Sequence, residues 1–363
     1  MTRVGIITIC DPIPNYGNRL QNYAVQIYLK KMGCEVVTYN FEGYEIKLKD
    51  RLKHFFHKLT NYRFTKDKFL WTYGFEKRKV FKEFNRKYIR MKYRNSISKG
   101  LHKEQDFFVL GSDQVWNTNW FGNNSVKKEA FLLSFAPPEK KVFFSPSFGF
   151  SKLPPEWHDW FRINLQNVEH LSVREEAGAQ IIYELLGIRP AVLIDPTMML
   201  TPDEWLKISC RPTDMPSTNR YLFSYFIGNK SSNTKEVISD LCSERDLELY
   251  SLLERNEPSH YVYGPSEFIY LIAHSELVVT DSFHACVFSI LFNKPFIVFA
   301  RSGKESDLMS RIDSLLEKFD LQHHKYKGTI NSNMFEHDYS HAAQYLDEER
   351  KKVNLFLSQS FHL

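Results

Sequence analysis

Short apolar runs alternate with stretches whose apolar residues recur every three or four positions. Residues 3–9, RVGIITI, form a continuous apolar run, as expected of a strand buried on both faces. Over 19–32, Leu20, Tyr23, Ala24, Ile27 and Tyr28 follow helical spacing, and Gly33 supplies a stop. CEVVTYNF then reads as the next strand, so the chain opens with a βαβ unit, parallel and right-handed. Further strands are predicted at DFFVLGSD (106–113), KVFFSPSFG (141–149), HLSVR (170–174) and AVLIDPT (191–197), with a helix over 175–186 ended by Gly187. The stretch 201–219, rich in Thr, Pro, Ser and Asn, marks a boundary. A second alternation follows: strand YLFSYFIG (221–228), helix 233–245, strand LELYSLL, helix GPSEFIYLIAHS, strand ELVVTD, helix SFHACVFSILFN and strand PFIVFA, which runs up to Arg301. From about 305 the chain reads as helical and charged.

This pattern predicts an α/β protein of two Rossmann-like domains facing across a cleft. The expected divisions are a first domain over 1–200, a linker over 201–219, a second domain over 220–330 and a helical tail over 331–363. The length of 363 residues suits two domains. The loop after the first strand lacks G-x-G-x-x-G, so it is not a standard dinucleotide fingerprint.

Composition narrows the class. Hydrophobic residues make up 43% and charged residues 25%, ordinary shares for a globular protein. The five cysteines, Cys10, Cys34, Cys210, Cys242 and Cys286, are scattered without a C-x-x-C, which argues against a disulfide framework or zinc knuckle. The opening MTRVGIITICDPIP is too short and wrongly flanked for a signal peptide, and no apolar run reaches about 18 residues. The chain therefore reads as cytoplasmic. Its net charge is +5, but Lys47 to Arg94 holds 17 Lys and Arg against 4 Asp and Glu. That segment, interleaved with Phe, Tyr and Trp, reads as a basic, amphipathic helical insertion in the first domain. Such a mixture suits an anionic membrane surface, and no recognisable nucleic-acid module surrounds it.

Candidate chemistry gathers where strands end. In a parallel sheet these ends share one edge, where ligands bind. The polar clusters there are Asn15-Tyr16-Gly17-Asn18-Arg19-Leu20-Gln21, Gly111-Ser112-Asp113, Ser145-Pro146-Ser147, Arg174-Glu175, Asp195-Pro196-Thr197 and Thr280-Asp281-Ser282-Phe283-His284. Trp116 beside the G-S-D turn is either a binding-loop residue or a buried structural indole. Asp281 or Ser282 can cap a helix, but His284 in a first turn opposes the positive end of the helix dipole when protonated. A histidine there suits contact with an anion or work as a neutral base. Arg174 and Arg301 can fork onto phosphate or carboxylate, or pair with neighbours such as Glu175 or Glu305. The helix start Gly264-Pro265-Ser266-Glu267 offers free N–H groups that can cradle phosphate.

Together these motifs resemble the polysaccharide pyruvyl transferase family. The resemblance rests on NYGNRLQNYAVQIYLKKMG, FFVLGSDQVWN, SVREEAGAQIIYELLG followed by DPT, FSYFIG and TDSFHACVFSILFNKPF, in that order over roughly 3–320. It implies two Rossmann-like domains of the GT-B-like type. It also implies transfer of a pyruvyl group from phosphoenolpyruvate to two hydroxyls of one sugar, with a cyclic ketal and phosphate as products. Phosphoenolpyruvate is then the donor substrate, with no further cofactor and no metal. The acceptor is a glycan, in one form still attached to a lipid carrier on the inner face of the membrane. Many relatives carry Arg-Leu-His where this chain has Ser282-Phe283-His284. The histidine is carried over; the arginine is absent.

The residues are assigned accordingly. His284 and Asp113 are expected to be catalytic. Arg174, Arg301, Gly264, Ser266 and Ser282 are expected on the donor side. Asn15, Tyr16, Gly17, Asn18, Gln21, Ser112 and Trp116 are expected on the acceptor side. Two other functions remain open at this level: a glycosyltransferase using a nucleotide sugar on the same fold, and a non-catalytic glycan-binding relative.

Overall fold

The structure, a computed structural model, describes the chain except for residues 11–12, 42–67, 95, 99, 122–123, 216–219, 256, 302–308 and 336–338. Residues 47–67 of the basic segment and Glu305 thus lie outside the described residues. Among the described residues the strands form two parallel sheets, one of seven strands and one of four. The first comprises β1 (Arg3–Ile7), β2 (Glu35–Asn40), β3 (Met91–Tyr93), β4 (Phe107–Leu110), β5 (Lys141–Phe143), β6 (His170–Val173) and β7 (Ala191–Val192). Its connecting helices are α1 (Tyr16–Lys31), α2 (Lys68–Tyr88), α3 (Ser125–Phe131), α4 (His158–Leu165) and α5 (Glu176–Leu186); short α6 (Pro202–Leu206) follows β7. The second part runs β8 (Tyr221–Tyr225), α7 (Ser232–Arg245), β9 (Glu248–Leu252), α8 (Pro258–Tyr261), α9 (Pro265–Ala273), β10 (Leu277–Thr280), α10 (Phe283–Leu291), β11 (Phe296–Val298), α11 (Ser310–Lys318) and α12 (Ser340–Phe361).

Strand order fixes where a ligand can sit. The first sheet runs β3-β2-β1-β4-β5-β6-β7, so β1 pairs with both β2 and β4. The second runs β11-β10-β8-β9, so β8 pairs with both β9 and β10. Each sheet reverses its strand order there, and the crevice beyond the strand ends at such a switch point is the usual ligand site. In the first domain that crevice is bordered by 8–10, 13–18 and 111–117, and in the second by 226–231 and 281–284.

Local chemistry explains the helix starts. Asn15 caps α1, its side chain accepting from the Asn18 amide (3.1 Å). Predicted strand AVLIDPT is a strand only over Ala191–Val192. Pro196 cannot donate to a ladder, and the Asp195 carboxylate instead accepts from the Thr197 amide (3.0 Å), turning the chain into a short 3-10 helix.

Two helices strap the domains together. Basic α2 lies between β2 and β3 in sequence, yet Phe69 packs edge-on to Tyr261 at 5.0 Å, against the second domain. Its inner face buries Phe81, Phe84 and Lys77. Helix α12 returns to the first domain: Arg350 donates to the carbonyls of Met198 (2.8 Å) and Leu200 (3.1 Å), and Phe361 packs on Phe107 at 5.3 Å. No helix among the described residues is long and apolar enough to cross a membrane.

Candidate active site

The two crevices meet at His284. An ideal Cβ on Gly17 would lie 2.1 Å from His284 Nδ1, so only a glycine in the first turn of α1 lets the imidazole pack there. The NYGN and DSFH motifs, more than 260 positions apart, thus form one contact. His284 is 7% exposed, and its Nε2 has no hydrogen-bond partner. Asp195 Oδ2 lies 3.8 Å from that nitrogen. Burial lowers the His284 pKa, while the carboxylates of Asp195 and Asp113 oppose that shift and Arg174 and Arg311 reinforce it.

Asp195 organises the surroundings. It is fully buried, and although desolvation pushes its carboxyl up, the His284 imidazole when protonated, the Arg174 guanidinium and hydrogen bonds from Thr197 hold its pKa down to about 2. Arg174 Nη1 donates to Oδ2 (2.8 Å) and Thr197 to Oδ1 through both its amide (3.0 Å) and its hydroxyl (2.7 Å). Ser112 Oγ lies 2.9 Å from the same Oδ2 and 2.8 Å from the Ser145 carbonyl. The G-S-D turn therefore holds the carboxylate that faces His284.

Asp113 adopts φ of +74°, a left-handed conformation that costs energy outside glycine. Its carbonyl accepts from the Ser147 amide (2.9 Å), fixing the turn. The carboxylate stands 4.0 Å from both Arg174 Nη2 and Arg311 Nη1. Arg311, on α11, is 7% exposed. A cavity of about 310 Å³ opens beside this cluster, lined by Arg174, Glu175, Asp195, Phe283, Arg311 and Lys318 among others. Of its lining residues, Asp195 stands 3.8 Å from His284 Nε2, and the histidine lies outside the lining.

Several expectations are corrected. Trp116 is completely buried, packs against Phe143, Phe148 and Phe161, and donates its Nε1 to the Phe131 carbonyl (2.9 Å). It is core, not an acceptor contact. Tyr16 is equally buried between the domains: its ring stacks on Phe268 at 4.8 Å and its hydroxyl donates to the Tyr263 carbonyl (2.7 Å). Gln21 is wholly buried, its Nε2 tying the end of β1 to α1 through Thr8 and the Asn18 carbonyl, while its Oε1 has no hydrogen-bond partner. The helix start at Gly264 is closed to phosphate. The Gly264 amide donates to Glu267 (3.0 Å), and an ideal Cβ there would lie 2.5 Å from Val80.

The remaining candidates divide. Ser282 is buried at the start of α10, with its amide donating to Thr280 Oγ1 (3.0 Å). Arg301 lies beyond the end of β11 and braces the β10–α10 turn. Its Nε donates to Asp281 Oδ2 (3.1 Å), which also accepts from the Gly228 amide. Asn15 is an exposed cap, and Asn18 is buried directly after His284's partner Gly17. Sequence reasoning missed Arg311. One signal was available: on the amphipathic pattern of α11, Arg311 shares the buried face with Leu315, where a cation needs a reason. Among the described residues no group of three or more His, Cys, Asp and Glu is placed to hold a metal ion.

Two Rossmann-like domains whose switch-point crevices close on one another define a GT-B-like protein. Within that class, the chain belongs to the polysaccharide pyruvyl transferase family: residues 15–303 match the family described as Polysaccharide pyruvyl transferase. Among curated proteins no match to this chain was found. Solved structures were compared with this chain. The Listeria monocytogenes protein assigned as a UDP-N-acetylglucosamine 2-epimerase superposes with a TM-score of 0.50 at 12% identity, covering 97% of this chain and 91% of its own. The UDP-GlcNAc 2-epimerase of Neisseria meningitidis gives 0.48 at 11% identity over 98% and 94%. A glycosyltransferase of Rickettsia africae gives 0.47 at 13% identity over 99% and 98%.

Proposed function

We propose that the protein transfers a pyruvyl group from phosphoenolpyruvate to two hydroxyls of one sugar in a glycan, forming a cyclic ketal and releasing phosphate. The observation that carries this reading is the unpartnered Nε2 of His284, buried where both switch-point crevices meet and flanked by carboxylates and arginines. Family membership supports the transferase class.

The chemistry follows from the donor. The enol of phosphoenolpyruvate becomes electrophilic at its central carbon once a proton reaches the methylene carbon. Protonated His284 is the group suited to give that proton. The first sugar hydroxyl then adds to the central carbon and gives up its own proton, which neutral His284 can accept. Loss of phosphate opens the carbon to the second hydroxyl, which closes the ring. Of the two hydroxyl protons, one restores the acid and the other leaves with phosphate. Asp195 holds the imidazole's charge, and Ser112, Thr197 and Arg174 hold Asp195. The donor's anionic groups need cations in a desolvated site, where such contacts count for more than in water.

The acceptor reading is a glycan, and its lipid-linked form is consistent with α2, whose Arg78, Lys79, Lys82, Arg86 and Lys87 are exposed. The test is phosphate release from phosphoenolpyruvate with a surface-glycan fraction, joined to mass analysis of the glycan from cells with and without the protein. Loss of a pyruvate-sized increment supports the reading. Release of uridine diphosphate from a nucleotide sugar, with none of phosphate from phosphoenolpyruvate, overturns it in favour of glycosyl transfer.

A further inference from the structure

Three arginines surround the cleft, and they differ in how their charge is met. Arg174 is paired with Asp195 at 2.8 Å and has Glu175 at 3.7 Å. Arg301 is paired with Asp281 at 3.1 Å. Arg311 is also buried, but among the described residues its nearest carboxylate, that of Asp113, stands 4.0 Å away, beyond hydrogen-bond reach. What holds Arg311 is neutral. With its amide oxygen turned toward the guanidinium, Gln114 accepts from Nη1 (2.8 Å) and Nε (3.2 Å). Gly149 sets the place of Gln114: an ideal Cβ there would lie 2.8 Å from the amide carbon.

A buried cation held by a neutral amide keeps its charge available for a ligand, whereas one tied to a carboxylate does not. Arg311 also lies on the wall of the 310 Å³ cavity. The same helix face brings Ser314, Leu315 and Lys318 to that wall, at i+3, i+4 and i+7. Phe283 forms its floor, with the Arg174 guanidinium 4.3 Å from the ring centroid and that of Arg311 at 6.0 Å. Desolvation and the proximity of Arg174 pull the Arg311 pKa down to about 9, the direction expected of a cation that lacks a close counter-charge. Arg311 falls beyond residues 15–303, the span that matches the family.

We infer that Arg311 is a donor-binding cation of this chain, receiving the phosphate of phosphoenolpyruvate in the cavity over Phe283, where position 282 carries serine. The inference rests on the pyruvyl-transfer reading. Arg301 is given to the β10–α10 turn; Arg174 is tied to Asp195 through Nη1 but keeps Nε and Nη2 without a hydrogen-bond partner on the same wall, so the phosphate would sit between it and Arg311. A guanidinium fork can meet two phosphate oxygens at once, which an ammonium cannot.

The test compares Arg311→Gln and Arg311→Lys with the unmodified protein. Direct binding of phosphoenolpyruvate is measured by calorimetry, inhibition by inorganic phosphate and by pyruvate is measured separately, and thermal unfolding is followed for each. Arg311→Gln is expected to weaken phosphoenolpyruvate binding about 10- to 100-fold, the range for losing a hydrogen bond to a charged group. Phosphate inhibition should weaken in parallel, while pyruvate inhibition and the acceptor's Michaelis constant hold. Arg311→Lys should fall between, and it serves as the measured variant should the Gln form fail to fold. Unchanged phosphoenolpyruvate and phosphate binding in a folded variant overturns the inference alone. A loss confined to pyruvate inhibition also overturns it. If the unmodified protein binds neither phosphoenolpyruvate nor phosphate yet binds a nucleotide sugar, the pyruvyl-transfer reading itself fails.

Discussion

Replacing Gly17 by alanine isolates the contact between the two domains' motifs. The added methyl would lie 2.1 Å from His284 Nδ1, 2.4 Å from Cε1 and 2.8 Å from Cγ. Ordinary contact begins near 3.4 Å. The imidazole must therefore retreat by about 1.3 Å, or α1 must move by as much, and a misplacement of about 1 Å at a reacting group costs roughly 100-fold in rate. The helix itself gains from the change, since alanine is favoured over glycine by at most about 1 kcal/mol. We therefore expect turnover, read as phosphate release, to fall about 100-fold, and the unfolding temperature to fall modestly, because overpacking costs about 1–3 kcal/mol against that gain. Gly74→Ala in α2 is the control, because its methyl would meet nothing closer than Arg78 at 3.7 Å. In a His284→Ala background the Gly17 change should cost nothing more, since the two act on one group. Wild-type turnover by the Gly17→Ala protein would refute the reasoning, and so would an equal loss in the absence of the imidazole.

Three further outcomes are expected. Burial depresses the His284 pKa in the empty site, so the ring is neutral near pH 7 and must gain a proton as the anionic donor arrives; phosphoenolpyruvate should bind more tightly as pH falls from 8 to 6, with proton uptake seen as a buffer-dependent binding enthalpy, and absence of uptake would remove His284 as the acid. Trp116→Phe should cost about 2 kcal/mol in urea unfolding, from the lost hydrogen bond to Phe131 and the space left behind, while the acceptor's Michaelis constant holds; the reverse pattern would restore the acceptor role. Changing Arg78, Lys79 and Lys82 to Gln should weaken sedimentation with anionic vesicles by about fivefold per charge at low salt, and a protein that never pellets would end the membrane reading.

The alternation of runs and helical periods carried the architecture, because a strand buried on both faces and an amphipathic helix leave different spacings. The strand-end motifs gather at the switch-point ends of both sheets. What each polar residue does there was not legible. Ser112 and Gln21 are both polar, both near a switch point and both buried; one reaches Asp195, 83 positions away, and the other only its own loop. The difference lies in distant partners, which local spacing does not encode. Tyr16 and Trp116 looked like ligand platforms for the same reason: an aromatic ring in a polar motif can equally face another domain or another layer of core. Gly264 carried a proper helix start, but Val80, from α2, covers it. Arg311 stands in no motif at all, and only the approach of α11 to the G-S-D turn gives it a task.

The return of α12 to the first domain alters what counts as a module. In sequence the halves part near 201–219, and a recombinant joining there would look natural. In space, Arg350 is bonded to the carbonyls of Met198 and Leu200, and Phe361 covers Phe107. A chimaera that exchanges everything after the linker would therefore seat one relative's final helix on another relative's first sheet. Its carbonyl acceptors and apolar partner would then be chosen by a foreign sequence. The inheritable unit is discontinuous: residues 1–200 together with 340–361, holding between them an insert of about the second domain's length. Domain exchange among relatives should succeed when the final helix stays with the first domain and fail when it travels with the second.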